Sequence, residues 1–296
     1  MSFAKTLAST KLVVRGHILN WFWRPRTKRR EIRRTVIADV TINYFKRYMP
    51  KVAALPETKV IKDDANEKIY SVWGWAKKPA LVDSCFRSVE RNCSQELVVL
   101  NEKTLFNYID LPGVIMDKQR AGNIKPAHFT DIARVELLHN HGGFWLDATG
   151  FVSSEIPKII TEQDFFMYMV DNSARFPLTF FQNCFIRGRK GSYLLEAWRL
   201  MILEYWLHES SVLEYFQHQL MFKSLIENDP RAAANFAKMP HIDQRPTHSL
   251  WGRYKDEPFN QEIFDQLTSK AFFQKTAYKD AVNPIPGSFA DAIIKM

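Results

Sequence analysis

Residues 130–149, TDIARVELLHNHGGFWLDAT, contain the change of hydrophobic period that decides the fold. Just upstream, Pro126 is placed to open a helix running to His141, with Phe129, Ile132, Ala133 and Leu137 along its apolar face. Gly142 then suits a left-handed cap, and Gly143 releases the chain into the strand Phe144-Trp145-Leu146. Glycine is scarce, 11 of 296 residues, so an adjacent pair marks a place where backbone freedom is required. Asp147 therefore falls at the carboxyl end of a buried strand, where open α/β sheets gather their ligands. Asp131 and Arg134, three apart, share a helix face that the cap turns toward Asp147. By residue type alone this constellation is either a structural Asp–Arg pair beside a turn, or a site that binds a polyanion through a divalent cation while the other carboxylate holds a polar ligand.

Working outward, Lys68 to Trp73 reads as a strand, Pro79 opens a helix with Leu81, Val82, Cys85, Phe86 and Val89 at helical spacing, and Glu96 to Leu100 reads as a second buried strand. Strand, helix and strand in so short a stretch make a βαβ unit. Downstream, strands are expected at 165–170 and 180–186 and helices at 192–208 and 212–227, the last with a capping box from Ser211 and Glu214. With 46% apolar and 25% charged residues the chain has the composition of a folded globular protein with a sizeable core, not of a disordered one. Three cysteines, Cys85, Cys93 and Cys184, show neither disulfide nor zinc-site spacing, which fits a reducing cytosol. The most apolar N-terminal stretch, Leu12 to Trp23, is interrupted by Arg15 and His17, so neither a membrane span nor a secretory signal is expected.

Charge is unevenly placed. Residues 1–60 hold six Lys and eight Arg against Glu31, Asp39 and Glu57, a surplus of eleven, while the whole chain is only +9. We read residues 1–60 as a basic helical arm and residues 66–296 as the main domain, with Pro50, Pro56 and Lys62-Asp63-Asp64 between them. Trp21-Phe22-Trp23 beside Arg24, Arg26, Lys28, Arg29 and Arg30 suits an anionic membrane surface. A solvated hairpin packed on the domain and a nucleic-acid contact are the alternatives, nucleic acid being the least favoured.

The pattern [ST]-D-x-x-R, a helix, then G-G-x-x-x-D at a strand end resembles the nucleotide-sugar site of GT-A glycosyltransferases, the group of yeast mannosyltransferases and large clostridial glucosylating toxins. It resembles more closely still the bacterial capsular polysaccharide synthesis proteins, which have a strand like Ile69-Tyr70-Ser71-Val72-Trp73-Gly74-Trp75 and end the site strand in a segment like Trp145-Leu146-Asp147-Ala148-Thr149. The likeness spans roughly residues 66–280, with weaker echoes at Phe181 to Ile186 and at Phe273 to Lys279.

The resemblance implies an α/β fold of GT-A type: a Rossmann-like mixed sheet flanked by helices, with a helical C-terminal portion and the basic N-terminal arm. It implies transfer of a sugar from a nucleotide-sugar donor, a UDP-sugar, with retention of configuration, to a glycan or lipid-linked glycan acceptor in bacterial surface polysaccharide synthesis. The protein would work in the cytoplasm, peripheral at the inner face of the membrane. Asp131, Arg134, Asp147 and Asn183 are the implied catalytic residues, and Trp73, Gly142, Gly143, Thr149 and Lys275 the implied donor-binding ones. A divalent metal, Mn2+ or Mg2+, would rest on Asp147 with Gln274. Two departures stand out: Thr149 replaces the second aspartate of D-x-D, and Gln274 stands where relatives carry histidine. A non-catalytic nucleotide-sugar or polysaccharide-binding protein is the rival function. His139 and His141 are helix-end histidines, whereas His241, His248, Trp251 and Tyr254 are candidates to reach the acceptor.

Overall fold

The computed structural model describes residues 26–62, 67–74, 77–170, 176–281 and 283–296; Trp21-Phe22-Trp23, Asp63-Asp64 and Trp75 lie outside them. The chain runs α1 (Arg26–Phe45), α2 (Met49–Ala53), β1 (Ile69–Val72), α3 (Ala80–Asn92), β2 (Leu97–Leu100), α4 (Gly113–Arg120), α5 (Pro126–His141), β3 (Gly143–Leu146) and β4 (Gly150–Val152). It continues through α6 (Lys158–Thr161), β5 (Phe165–Met169), β6 (Phe181–Gly188), α7 (Tyr193–His208), α8 (Gln217–Asn228), α9 (Pro230–Phe236), α10 (Gln261–Thr268), β7 (Phe273–Lys275) and α11 (Phe289–Lys295).

A five-stranded sheet of order β2-β1-β3-β6-β5 forms the centre. β1 is parallel to both β2 and β3, and β6 is antiparallel to both β3 and β5, so the sheet is mixed and helix-flanked. β3 lies in the middle with every residue buried, which is why its sequence is continuously apolar rather than alternating. A separate two-stranded ribbon pairs β4 with β7 and sets Gly150 opposite Lys275.

The glycine pair acts through the backbone. Gly142 ends α5 at φ 72° and Gly143 follows at φ 96°. A Cβ on Gly143 would stand 2.4 Å from the Lys68 carbonyl oxygen, the same oxygen that accepts the Phe144 N–H at 2.8 Å. The close approach that joins β3 to β1 therefore has no room for a side chain. Beneath it, the fully buried Arg187 pairs with Glu67 and donates to the Gly143 and Gly188 carbonyls at 3.2 Å, with its guanidinium over the Phe144 ring.

Two expectations are corrected. Helix α8 starts at Gln217 rather than at Val212, and no Ser211–Glu214 capping box forms. The Tyr205 hydroxyl donates to the Ser211 carbonyl and the Leu213 N–H donates to Gln217 Oε1, which holds the segment as a loop with Val212, Leu213 and Tyr215 exposed. Nor is residue 60 a packing boundary. Ala38, Ile42, Phe45, Tyr48 and Val52 are buried in the main core with the strands. Ser224 Oγ donates to the Ile42 carbonyl at 2.9 Å, and Arg231 donates to the Val52 and Leu55 carbonyls. Among the described residues of that segment, the front of α1, with Lys28, Arg30 and Arg33 exposed, has the character of an arm. Among the described residues no helix is long and apolar enough to cross a membrane.

Gly143→Ala is expected to destabilise the fold by at least ~2 kcal/mol, from the left-handed backbone together with the clash on Lys68. The urea midpoint measures this; a midpoint within error of wild type would mean that β3 can join β1 without the glycine.

Candidate active site

A cleft of about 1200 Å³ opens at the carboxyl ends of β1 and β3, its floor made by the end of β3, by the α5 face bearing Asp131 and Arg134, and by the exit of β7. Asp147 is fixed first by backbone, its N–H donating to the Cys184 carbonyl at 2.8 Å across to β6. Its Oδ1 accepts the Trp145 indole N–H at 2.8 Å and lies 3.4 Å from Arg134 Nη2; its Oδ2 lies 3.2 Å from Lys275 Nζ. Lys275 also donates to the Thr149 hydroxyl.

Arg134 is the hub on the helix side. Its Nη2 is 3.3 Å from Asp131 Oδ1, its Nη1 donates to the Asn183 carbonyl at 2.5 Å, and its guanidinium lies over the Trp145 ring, 5.0 Å from the centroid. It is only 5% exposed, so the arginine bridges the two carboxylates from within. Asn183 Nδ2 donates to Asp131 Oδ1 at 3.1 Å, and Gln219 Nε2 donates to Asn183 Oδ1 at 3.2 Å. His128 Nδ1 stands 3.5 Å from Asp131 Oδ2, one helical turn before it.

The protonation states follow from these neighbours. Burial works to raise the Asp131 carboxyl, but the groups facing it, the His218 ring, the Arg134 guanidinium and the His128 ring, outweigh burial and hold it below the usual carboxylate value. Burial pushes His218 down to about 3, so it is a neutral imidazole at physiological pH. Burial also works to lower Lys275, but the Asp147 carboxylate outweighs it and raises the ammonium above its ordinary value, keeping it charged. Burial raises Cys184, which also lines the cleft, to about 12; it is an inert thiol rather than a nucleophile.

Of the residues singled out from sequence, Trp73, Asp131, Arg134, Asp147, Thr149, Asn183 and Lys275 all line this cleft. Trp73 meets Tyr278 edge-on, 5.1 Å between ring centroids, so its ring is held at the rim. Two expectations are corrected. Gly142 and Gly143 do not line the cleft and act through backbone geometry instead, as the Lys68 contact shows. Gln274 is fully buried, its Oε1 3.3 Å from the Leu250 N–H and its Nε2 3.5 Å from the Ala271 carbonyl, because the β7 alternation turns it away from the face that Lys275 presents. His139 pairs with Glu196 and His141 Nε2 meets the Tyr108 carbonyl, both at the end of α5 and outside the cleft lining. Of the acceptor-side candidates, His248 and Trp251 line the cleft; His241 and Tyr254 do not.

Sequence reasoning missed His128, His218 and Gln219. The spacing of His128 from Asp131, i to i+3, was a legible signal. Nothing local marked His218 and Gln219, which α8 brings in from a distant part of the chain.

A divalent cation prefers about six oxygen ligands, several of them anionic. The strand end offers Asp147 and the Thr149 hydroxyl, with both Asp147 oxygens already engaged by an indole, a guanidinium and an ammonium, and Gln274 is turned away. Among the described residues no three His, Cys, Asp or Glu gather as a metal site. The residues present do not fit a resident metal ion.

Comparison with solved structures finds similarity to one titled PaToxG glycosyltransferase, at 14% identity and a TM-score of 0.37, covering 70% of this chain and 85% of that one. No curated protein matches the chain. The family comparison is far more extensive: the pattern of the capsular polysaccharide synthesis proteins matches residues 20–293, which takes in α1, the whole mixed sheet and every residue of the cleft, and the chain belongs to that family.

Proposed function

We propose that the protein is a glycosyltransferase of GT-A type that moves a sugar from a nucleoside-diphosphate sugar, a UDP-sugar, to a glycan or lipid-linked glycan acceptor during surface polysaccharide synthesis. One observation carries the reading: at the carboxyl ends of the strands, two carboxylates bridged by a buried arginine share a cleft with more cations than acids. Arg134, Lys275, Lys279 and Arg245 line it against Asp131 and Asp147, a balance that suits a diphosphate. The cleft has room for a nucleotide sugar together with an acceptor, and family membership supports the polysaccharide context.

In this reading Asp131, kept ionised and placed by Arg134 and Asn183, accepts hydrogen bonds from sugar hydroxyls. Trp73 offers a flat face to the nucleotide base. As the bond from C1 to the β-phosphate oxygen breaks, negative charge grows on the diphosphate and positive character on the sugar ring. The cations beside Asp147 meet the first, and the Asp131 carboxylate meets the second. The acceptor hydroxyl oxygen bonds C1 from the same face, and its proton passes to the departing β-phosphate oxygen, giving retention without a dedicated protein base. His248 and Trp251, which also line the cleft, are assigned to the acceptor in this reading. The basic front of α1 is proposed to rest on an anionic membrane surface, bringing the cleft to its lipid-linked acceptor.

The test is incubation with a panel of UDP- and GDP-sugars and measurement of released nucleotide. At equal folded fraction, Asp147→Asn and Asp131→Asn should each lower turnover at least ~100-fold, about 2.7 kcal/mol of transition-state stabilisation. Loss of stability with turnover unchanged would make the cluster structural. Because Asp131 is held below the ordinary carboxylate value, its ionised form and the stability it contributes persist as pH falls to about 4 and are lost only below that. An acid limb of activity centred near neutrality would need another group. For the membrane contact, reversing Arg30 and Arg33 to Glu should abolish flotation on anionic vesicles at low salt while leaving donor hydrolysis intact, each charge contributing about 1 kcal/mol. Unchanged flotation would show that these arginines do not dock the protein.

A further inference from the structure

Lys275 stands in a particular place. It follows Gln274 on β7, and the β4–β7 ladder pairs it with Gly150. The next residue clamps it further, because the Thr276 N–H and hydroxyl both donate to the Thr149 carbonyl at 2.8 Å. So held, Lys275 Nζ lies 3.2 Å from Asp147 Oδ2 and donates to the Thr149 hydroxyl. These are the two oxygen-bearing side chains that the strand end presents toward the cleft, and the ammonium bridges them. An ammonium has three N–H donors, and the two contacts named leave one for a phosphate oxygen in the cleft. A dication bonded to the same carboxylate would be driven against this fixed positive charge in a partly desolvated place.

We propose that the Lys275 ammonium does the work that a divalent cation would do at such a strand end, and that the protein binds nucleoside diphosphates and turns over without metal. The inference rests on the glycosyltransferase reading. In the transfer step, the C1–O bond to the β-phosphate breaks and its electron pair leaves with the phosphate oxygen. Lys275 donates a hydrogen bond to that diphosphate and keeps its proton; the acceptor hydroxyl's proton is the one that ends on the β-phosphate oxygen. Asp147 acts through Lys275, fixing the ammonium rather than ligating a metal. This accounts for a strand end that carries one aspartate and a threonine: a monovalent cation tethered to the protein needs one counter-charge and one neutral acceptor, where a free dication needs more anionic oxygen. Lysine also suits the task as a compact point charge on phosphate.

The experiment is calorimetric titration of the full chain with UDP, GDP, CDP and ADP in EDTA, and again in Mn2+ or Mg2+. Wild type should bind one of these in EDTA with a Kd within about threefold of its value with metal, since no ligand is missing. Lys275→Met should weaken that binding about tenfold to hundredfold in EDTA, the loss expected for a hydrogen bond from a charged group. Lys275→Arg keeps the charge and should bind more tightly in EDTA than Lys275→Met. Melting temperatures of all variants report folding, and the EDTA comparison on wild type stands even if a variant fails to fold. Binding by wild type only in the presence of metal, or an unchanged Kd in folded Lys275→Met, would overturn the inference and leave the glycosyltransferase reading intact. Failure of all four nucleotides to bind under either condition would overturn both.

Discussion

Everything at the site depends on the placement of one carboxylate, Asp147, at the end of a buried central strand between two cations that come from different parts of the fold. Arg134 reaches it from α5, and Lys275 reaches it from a ribbon outside the main sheet. Partly exposed ion pairs of this kind are modest sources of stability, because solvent screens them and ordering the side chains costs much of what pairing returns. Their presence is better explained by what they hold ready: cations with fixed positions in a cleft from which water is partly excluded, where a charged ligand feels them strongly. The aromatic floor supports this, since the Trp145 indole both donates to Asp147 and lies under Arg134, fixing carboxylate and guanidinium with one ring.

The geometry is paid for in the backbone. Because Gly142 and Gly143 both take positive φ, α5 can turn into β3 within two residues, and Asp131, Arg134 and Asp147 come from a single short stretch of chain. The bare Cα of Gly143 lets β3 draw against Lys68 and pair with β1, which places Trp73 at the end of the neighbouring strand in the same cleft. Asn183, on β6 in antiparallel contact with β3, adds its side chain to Asp131 and its carbonyl to Arg134. Sheet order is thus what gathers the site: β1, β3 and β6 are adjacent, and each contributes at or near the end that faces the cleft.

Much of this was legible in the sequence because the deciding signals are local. A proline, a helical apolar period and a glycine pair define α5 and β3 residue by residue, and the i, i+3 spacing puts Asp131 with Arg134. What was not legible depended on distant partners. The alternation of a three-residue strand at 273–275 sends Lys275 to the cleft and Gln274 into the core, and that choice is made by pairing with β4, which nothing in the local sequence announces. The expected cap at Ser211 lost to a Tyr205 hydroxyl one helix away, and the expected boundary at residue 60 lost to the apolar face of Ala38, Ile42 and Phe45, whose spacing was helical but was masked by the surrounding charge.

The most direct test of the central claim is a crystal structure of the full chain with a bound nucleoside diphosphate. The account predicts the diphosphate in the strand-end cleft, with phosphate oxygens in hydrogen-bond reach of Lys275 Nζ, the base toward Trp73 and the Asp131–Arg134 pair facing the sugar position. A nucleotide bound elsewhere, with the Asp147 cluster unchanged and solvent-filled, would contradict it.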